Sequence, residues 1–424
     1  INELVNNGAA QIALDALGPN GDLLGAVAET SLVSGGVDVF QALIQTGEVM
    51  DESILNNFAL MGAGNGQATQ EIKSATEQVA TGYYDFDLAL GDNGTDLGVS
   101  YDLTRIDISG GKTLTLSETG TLDAQLTSDG GAGDLTIAAG GDITLANASK
   151  SALNSYTGVT NVLGKLTAYA GNLGSTSELQ IGASGHYINA GDNEVGLLDA
   201  DGTLELRTGQ TLEITQGATG RSDIAGTLTG GGDLLFAAGD LIVTGTTPSD
   251  YNGTVYVGGA NSDAVLTISG AGALGTGSIV LGTHNGSQVN IYGTEGQTFA
   301  NEISGFGTIN VNLSGGAFAF GSEQLGLSTG STLALQNAVF DLTGGSNFND
   351  DVAGKLVLQL ESGSTLINDG SADKDVYSLT LNGGTIDLGE INTEFGQIDL
   401  VSDNSTLVIG GKTTIDIASQ SDDN

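Results

Sequence analysis

Arginine is the first residue type to consider, because a polysaccharide lyase uses an arginine or lysine to take the proton next to a uronate. The chain has three arginines, and Arg207 and Arg221 flank one predicted strand in ELRTGQTLEITQGATGRSD. Arg105 lies in an alternating pattern, where a solvent-facing strand position is the favoured interpretation. A catalytic cluster around Arg207 and Arg221 is a minor alternative. It would draw on the acidic residues nearby in sequence, which are Asp199, Asp201 and Asp223.

The other residue types that carry catalysis are sparse or uninformative. His186 and His284 both lie in glycine-rich contexts, ASGHYINAGD and LGTHNGSQ, which favour loop residues over ligands or bases. The GDSG motif of trypsin-like proteases is absent. Paired carboxylates for glycoside hydrolysis cannot be singled out among 51 acidic residues. We therefore expect a protein that is not an enzyme, with no catalytic residue.

Two glycine-aspartate phrases resemble part of the calcium-binding nonapeptide G-G-x-G-x-D-x-U-x. They are GGAGDLTIA at 130–138 and GGGDLLFAAGD at 230–240, and in both the spacing is one residue short. GDNGTD at 91–96 resembles half of an EF-hand loop but lacks its distant glutamate. We expect no cofactor and no specific metal site, with Ca²⁺ loosely bound to acidic faces as the one alternative.

The charge balance limits the partners. The chain has 51 acidic and 10 basic residues, a formal net charge of −41 at pH 7. Such a surface repels nucleic-acid phosphates and anionic lipid headgroups. No apolar run reaches the length of a membrane-spanning helix, so we expect neither nucleic-acid binding nor membrane insertion. A signal peptide is absent and position 1 is isoleucine, so we expect a piece of a longer precursor.

Residues 1–82 differ in texture from the rest of the chain. QATQEIKSATEQVATG, at 67–82, is rich in alanine, glutamate and glutamine, which favour helices. Apolar residues in this region recur at helical spacing, so we predict a mixed segment with about two to four short helices. Residues 83–109 then alternate with period two on both sides of the GDNGTD turn, which predicts a protruding β-hairpin.

From residue 110 to residue 424 the chain repeats short strand patterns between glycine- and asparagine-rich corners. GDLTIAAGGDITLANAS is one example. A sandwich would need several domains with linkers between them, and the composition shows no such break. We therefore predict a mainly β fold, a parallel β-helix or β-solenoid over 110–424, with rungs of roughly 20–25 residues.

Two nearly identical phrases support the solenoid. NSYTGVTNV at 154–162 and SDYNGTVYV at 249–257 both read tyrosine, any residue, glycine, any three residues, valine. The stretches LTSDGGAGDL, LTGGGDL and ISGFGTI form a second recurring pattern. We predict that the Tyr phrases define equivalent rungs, with tyrosine capping a rung edge and glycine where backbones crowd. Their repeat-defining residues are Tyr156, Gly158, Val162, Tyr251, Gly253 and Val257.

The Y-x-G-x-x-x-V phrase, followed by LTISGAGALGTGSIVLG at 266–282, resembles the passenger-associated repeat of type Va autotransporters. DVYSLTLNGGTIDLGE at 375–390 is similar to the segment near the C-terminal end of such passengers. The resemblance covers about residues 120–420. It implies a right-handed parallel β-helix that a C-terminal outer-membrane barrel carries outside a Gram-negative cell. The absence of cysteine fits, because a disulfide-locked chain is hard to thread through a barrel.

Within this family, the resemblance points to the self-associating adhesins, which implies cell aggregation, biofilm formation and attachment to host surfaces. The partner would be a copy on a neighbouring cell, or a host glycan or extracellular-matrix protein. Because two such acidic surfaces repel each other, we expect salt or Ca²⁺ to strengthen self-association. The alternatives are a secreted β-helical polysaccharide-degrading enzyme and a surface-layer or biofilm-matrix structural protein. The residues alone do not identify the binding face.

Overall fold

The computed structural model describes the chain in a series of segments. These are residues 31–33, 65–74, 77–90, 97–146, 153–215, 220–245, 249–259, 262–270, 272–282, 286–293, 301–317, 325–341, 357–367, 378–387, 393–395, 398–400, 406–408 and 415–417. The chain divides into two compact units, residues 1–196 and 197–424. Every regular element in the described segments is a β-strand. Among these residues no helix is long and apolar enough to cross a membrane.

The described strands of the first unit are mostly four to five residues long, apart from three longer strands near its beginning. They are β1 (Ser31–Val33), β2 (Asn65–Ser74), β3 (Glu77–Leu90), β4 (Leu97–Ser109), β5 (Thr113–Leu116), β6 (Thr119–Leu122), β7 (Gln125–Asp129), β8 (Asp134–Ile137), β9 (Asp142–Leu145), β10 (Val159–Val162), β11 (Lys165–Ala168), β12 (Glu178–Ile181), β13 (His186–Asn189) and β14 (Asn193–Val195).

The described strands of the second unit continue the same pattern. They are β15 (Leu197–Ala200), β16 (Thr203–Leu206), β17 (Thr211–Ile214), β18 (Arg221–Ile224), β19 (Thr227–Gly230), β20 (Asp233–Phe236), β21 (Gly239–Val243), β22 (Thr254–Val257), β23 (Ala264–Ser269), β24 (Ser278–Leu281), β25 (Gln288–Gly293), β26 (Ile303–Gly305), β27 (Thr308–Ala317), β28 (Leu325–Leu327), β29 (Thr332–Asp341), β30 (Val357–Glu361), β31 (Thr365–Ile367), β32 (Ser378–Asn382), β33 (Thr385–Asp387), β34 (Thr393–Phe395), β35 (Ile398–Leu400), β36 (Thr406–Val408) and β37 (Ile415–Ile417).

The first unit opens with an antiparallel sheet in the order β1-β2-β3-β4. The helices predicted at 67–82 are wrong, because β2 and most of the first half of β3 occupy these residues and pair antiparallel over their length. Ile72 and Ala80 face each other in this ladder and are completely buried. Burial in a long ladder outweighs the helix preference of alanine, glutamate and glutamine, which is worth less than about 1 kcal/mol per residue. Of residues 1–64 the structure describes only β1. The helices predicted elsewhere in this range lie outside the described residues.

The predicted hairpin is confirmed, and it begins earlier than expected. β3 and β4 pair antiparallel from Ala80 with Ile108 to Leu90 with Leu97. Its turn at 91–96 lies outside the described residues. At the base of the hairpin, β4 pairs with β7 in parallel, with Ile106 opposite Leu126. The hairpin therefore leads directly into the parallel part of the fold.

Beyond the hairpin, both units are built as a parallel β-helix, as predicted. In the first unit β5, β8, β10 and β12 form one parallel stack, and β6, β9, β11 and β13 form another. The offset between paired residues is 19 where Val159 meets Glu178 and 25 where Leu135 meets Thr160. Strand length is nearly constant, so the corners absorb the variation in rung length.

The second unit contains one long and one short parallel stack. The long stack runs in the order β15-β18-β21-β23-β25-β27-β29-β30-β32-β35. The short stack runs in the order β17-β20-β22-β24-β26-β28. In addition, β16 pairs with β19, and β34 pairs with β37. β31 pairs with the end of β29, β33 pairs with β31, and β36 pairs with β33, all in parallel.

The core consists of columns of inward side chains that share one position on successive rungs. Strand residues alternate between faces, and the observed burial alternates accordingly in most described strands. Each fully buried leucine, isoleucine or valine contributes about 1.5–3 kcal/mol, so the columns supply most of the stability. One column of the first unit contains Leu116, Ile137, Val162 and Ile181, each at most 1% exposed.

Candidate binding groove and the repeated rungs

The glycines of the two repeated phrases lie where backbones of successive rungs nearly touch. A Cβ on Gly158 would lie 2.3 Å from the carbonyl oxygen of Gly133, and one on Gly253 would lie 1.9 Å from that of Gly232. Both distances are shorter than any real carbon–oxygen contact of this kind. Only glycine fits at these two positions without a shift of the backbone.

The two recurring patterns of the sequence stack on one another. In the first unit the Val159 amide donates a 2.8 Å hydrogen bond to Oδ1 of Asp134. In the second unit the Thr254 amide donates a 3.1 Å hydrogen bond to Oδ1 of Asp233. Each glycine-aspartate-leucine phrase therefore lies one rung before a Tyr phrase. Its aspartate carboxylate accepts a hydrogen bond from the first residue of the strand in that Tyr phrase.

The tyrosines of the phrases lie in the interior, and neither is at an exposed rung edge. Tyr156 and Tyr251 are both 0% exposed. Burial raises the pKa of both phenols, and for Tyr251 the nearby Asp233 raises it further. The Tyr156 hydroxyl hydrogen-bonds with Oγ1 of Thr160 at 2.7 Å. Because this hydrogen bond satisfies its hydroxyl, Thr160 can occupy an inward position in an otherwise leucine-rich column.

The backbones of the tyrosines bind the following rung. The Ser175 amide donates to the Tyr156 carbonyl at 3.1 Å, and the Thr276 amide donates to the Tyr251 carbonyl at 2.9 Å. The phrase valines, Val162 and Val257, are both 0% exposed and belong to the core columns. The six repeat residues thus have structural positions that correspond between the two units.

Besides the tyrosine, glycine and valine of the Tyr phrases, the two units share a buried asparagine position that was not predicted from the sequence. Asn193 accepts hydrogen bonds from the Asn172 and Leu173 amides, at 3.0 and 3.3 Å. Asn301 donates to the carbonyl of Gly277 at 2.6 Å. Both asparagines are at most 5% exposed and hold the turn of the preceding rung. The signal was present in the sequence, because NEV at 193–195 and NEI at 301–303 are nearly the same phrase.

The residues of the lyase alternative are distributed over two stacks. Arg221 opens β18 in the long stack, and its Nη2 lies 3.0 Å from Oδ2 of Asp223. Asp199 on β15 is in register with Asp223. Arg207 follows β16, in the pair of β16 and β19, and its carbonyl accepts from the Gln210 amide at 3.0 Å. Asp201 lies in the exposed corner between β15 and β16.

The remaining cationic candidates also have defined places. Arg105 is in register with Tyr83, with its guanidinium carbon 3.9 Å from the ring centre, and its Nε lies 2.9 Å from Oδ1 of Asp107. His186 was expected in a loop, but it is the first residue of β13 and pairs with Lys165. His284 lies outside the described residues. In the described part of the chain, no three histidine or acidic side chains gather as a metal site would require.

A polar groove lies on the long stack of the second unit, across β25, β27, β29 and β30. Its volume is about 330 Å³, within the roughly 300–1,000 Å³ usual for small-molecule sites. The pairing registers bring Asn310 between Asn290 and Ala334, and bring Ala334 next to Gln359. Ala334 has only a methyl group where its neighbours have amides, which leaves a gap in this row. We call this site the amide groove.

Hydrogen bonds between rungs orient the side chains of the amide groove. The amide nitrogen of Asn310 donates to Oδ1 of Asn290 at 2.9 Å, and that oxygen also accepts from Gln288 at 2.6 Å. In the adjacent row, Asn312 donates to Oε1 of Gln336 at 2.7 Å. A primary amide has two hydrogens and an oxygen with two lone pairs, so these bonds use only part of its capacity.

An aromatic ring and a carboxylate complete the amide groove. Tyr292 is in register with Asn312 and is 46% exposed. Glu361 at the other side accepts a 2.6 Å hydrogen bond from Asn382. Among the described residues that line it there is no lysine, arginine or histidine. The groove thus presents donors, acceptors, one aromatic face and one negative charge, which suits a polar ligand without negative charge.

The residues of the amide groove were not predicted from the sequence. A signal existed, since QVNIYG and TINVNL each have two amide side chains at alternate positions, and TLALQN and VLQLE each have a glutamine at an outward position. Strand periodicity alone predicts that such residues face outward. It does not predict which rungs align them, because the rungs differ in length.

Comparisons with known proteins give three similar proteins of Escherichia coli strain K12. The chain is 30% identical over 367 residues to the uncharacterized lipoprotein YdeK, covering 81% of this chain and 25% of YdeK. It is 29% identical over 267 residues to the probable autotransporter YfaL, covering 56% of this chain and 20% of YfaL. It is 31% identical over 217 residues to the uncharacterized protein YuaQ, covering 48% of this chain and 15% of YuaQ.

The chain therefore spans a quarter or less of the length of each of these relatives. No protein-family model matches the chain, and no solved structure matches it. The similarity to a probable autotransporter agrees with the parallel β-helix, and together they indicate an autotransporter-like passenger segment.

Proposed function

We propose that this chain is part of a cell-surface autotransporter passenger that acts as a non-catalytic adhesin. Its similarity to a probable autotransporter and to a lipoprotein supports a location in the cell envelope or at its surface. The observation that carries the adhesive role is the rows of polar side chains on outward strand positions of successive rungs. These rows present many similar hydrogen-bonding groups over an extended face.

Rows of this kind occur in both units. In the first unit Thr136 is in register with Thr115 and with Asn161, which is in register with Gln180. In the second unit Asn290 is in register with Thr267 and Asn310. A single hydrogen bond contributes only about 0.5–1.5 kcal/mol, so adhesion through such rows depends on engaging many groups at once.

The partner in this proposal is a second copy on a neighbouring cell, or a host glycan or matrix protein. Contact between two copies brings together two chains that each have a formal charge of −41. Salt screens this repulsion, and Ca²⁺ can bridge carboxylates of the two copies. Self-association is therefore expected to grow stronger with salt or Ca²⁺, which would promote aggregation and biofilm formation.

Catalysis has no part in the proposal. The polysaccharide-degrading alternative would need Arg207 and Arg221 to act together. Arg221 lies on β18 in the long stack, whereas Arg207 follows β16, which pairs with β19. The described lining of the amide groove contains one carboxylate, whereas glycoside hydrolysis uses a pair of carboxyl groups. The surface-layer or biofilm-matrix alternative has no specific observation in its favour.

Beads coated with the purified chain test the proposal. We expect the beads to clump with one another, or to adhere to surfaces coated with glycans or matrix proteins. Sedimentation velocity at low salt, physiological salt and millimolar Ca²⁺ then measures self-association of the free chain. A monomer under all conditions, together with beads that neither clump nor adhere, would contradict the proposal. Self-association that is strongest at low salt would contradict the role given to charge screening.

A further inference from the structure

We infer that the amide groove binds a neutral, extended polysaccharide whose sugars follow the direction in which the rungs stack. The inference rests on the proposed function and deepens it, because it names a ligand class and a site for an adhesive passenger. Four features of the groove support it: its hydrogen-bonding groups, its exposed ring, its charge and the spacing of its strands.

The hydrogen-bonding groups of the groove match those of sugars. A sugar hydroxyl both donates and accepts, and a primary amide offers both functions in one plane. Asn310 uses one amide hydrogen for Asn290, which leaves its second hydrogen and its oxygen for a ligand. Gln359 stands across the Ala334 gap from Asn310, so a hydroxyl in the gap meets amides on two sides.

Tyr292 provides the apolar surface that a sugar ring requires. The ring is on the same outward face as the amides, opposite Asn312, and 46% of the residue is exposed. Among the tyrosines whose side chains the structure describes, it is the most exposed, ahead of Tyr169 at 41% and Tyr256 at 38%. An aromatic face binds the C–H face of a sugar while the hydroxyls at its rim turn toward polar groups.

The charge of the amide groove and of the whole chain determines which polysaccharides can bind. The described lining residues include Glu361 and no basic side chain, and the whole chain has a formal charge of −41. A sulfated or uronate-rich chain would meet repulsion from both. Neutral hexose and N-acetylhexosamine chains avoid that repulsion, and their hydroxyl and amide groups pair with the groove.

The spacing of the strands sets the direction of the ligand. Neighbouring strands lie about 4.7–4.9 Å apart. That distance is close to the length of one sugar residue in an extended β-1,4-linked chain. Successive sugars laid across β25, β27, β29 and β30 therefore meet equivalent side chains on successive rungs. A chain laid along a single strand would meet outward side chains only at every second residue, roughly 6.6–6.8 Å apart.

Isothermal titration of the purified chain with cellohexaose and chitohexaose tests the inference. We expect saturable binding of at least one of them, and Tyr292→Ala weakens it about tenfold, equivalent to ~1.4 kcal/mol. Tyr256→Ala is the matched control, because Tyr256 is similarly exposed at 38% but lies on β22 in the short stack. This control is expected to bind as the unmodified chain does.

Ala334→Gln is the second variant. It fills the gap without removing any hydrogen-bonding group, and Ala334 is a half-buried outward position whose neighbours on adjacent rungs, Asn310 and Gln359, already have amide side chains. We expect it to abolish binding while the unfolding midpoint stays unchanged. Binding that survives Ala334→Gln, or that falls equally in Tyr256→Ala, would overturn the assignment to this groove.

The ligand class has its own contradicting outcomes. Absence of binding to both oligosaccharides, or preference for oligogalacturonate or heparin fragments, would overturn the inference. The bead assay separates this result from the adhesive role. Beads that still clump or adhere without oligosaccharide binding leave the proposed function standing, whereas binding without any adhesion contradicts the proposed function alone.

Discussion

The two phrase glycines, Gly158 and Gly253, occupy positions where one added carbon would collide with the backbone of the preceding rung. Because the obstacle is a carbonyl and not a flexible side chain, the rungs must separate to make room. We expect Gly253→Ala to lower the free energy of unfolding by about 1–3 kcal/mol, the usual cost of overpacking. Urea unfolding of the purified chain measures it.

Gly326→Ala is the matched control for that change. This glycine is exposed on β28, and the nearest neighbour of its added carbon would be the Cβ of Ser304, at 3.3 Å. The change is expected to stay within about 0.5 kcal/mol. Equal effects of the two substitutions would show that crowding at the repeated phrase does not limit stability.

The buried tyrosines predict sensitivity to alkali. Burial raises the pKa of Tyr156, Tyr187 and Tyr251 above their ordinary value of 10.0. Above about pH 10 the unfolded chain loses these protons while the folded chain keeps them, so the free energy of unfolding falls as pH rises. Each such tyrosine contributes up to ~1.4 kcal/mol per pH unit to that slope.

Thermal unfolding between pH 8 and 11 measures the slope. Tyr187→Phe is expected to make it shallower, although the variant also loses the 2.9 Å hydrogen bond to Asn189 and so starts less stable. Phe236→Leu, altered at a buried ring that has no phenol, is expected to lower stability and retain the original slope. A slope that Tyr187→Phe leaves unchanged would exclude the Tyr187 phenol as one of its sources.

Among the elements, the turns of the two equivalent rungs are each stabilised by an asparagine on the following rung. Asn301 is 1% exposed and donates to the Gly277 carbonyl at 2.6 Å. Replacement by leucine, of similar size, leaves that buried carbonyl without its donor and is expected to cost about 1–3 kcal/mol. Chemical unfolding of Asn301→Leu measures the cost, with Asn161→Leu at a half-buried outward position as the control.

The strands show what the sequence could and could not predict. Alternation with period two predicted the solenoid, because inward columns such as the one through Val162 require apolar residues at every second position. The helix-favouring composition of 67–82 led to a wrong prediction of helix, because Ile72 and Ala80 are buried in a long antiparallel ladder. Local preference could not reveal the partner strand that decides the outcome.

The junction between the β3–β4 hairpin and the parallel β-helix gives a further test of how the strands are held together. Ile106 on β4 and Leu126 on β7 face each other in register, and both are 0% exposed. Ile106→Ala is expected to cost about 2–5 kcal/mol, as is usual for a core deletion. Hydrogen exchange should then accelerate in β4 and β7 first. Unchanged protection there would show that this contact does not hold the hairpin base.

At the scale of the whole molecule, the amide groove could not be located in advance. Tyr292 and Glu361 are far apart in sequence and reach one site through rung lengths that differ from turn to turn. Asn290 and Asn310 are 20 residues apart, whereas Asn310 and Ala334 are 24 apart. Alternation places each residue on the outside, but only the register of every intervening rung aligns them.

The excess of acidic over basic residues acts on the molecule as a whole. With 51 acidic and 10 basic residues, like charges repel throughout the folded chain. Screening relieves this repulsion, so we expect the melting temperature to rise as NaCl increases from low to physiological concentration. A neutral osmolyte at equal osmolality is the control. A melting temperature that falls with NaCl would mean that attractive ion pairs dominate.

The uneven rung length has a consequence for how such chains diverge. Among the described rungs, length ranges from 19 residues, between Val159 and Glu178, to 26, between Val339 and Thr365, while the strands keep their inward columns. Insertions and deletions at corners therefore leave the core intact, and lineages can accumulate them freely. Sequence identity then decays quickly along an unchanged scaffold, and outward faces evolve new specificities without any change of architecture.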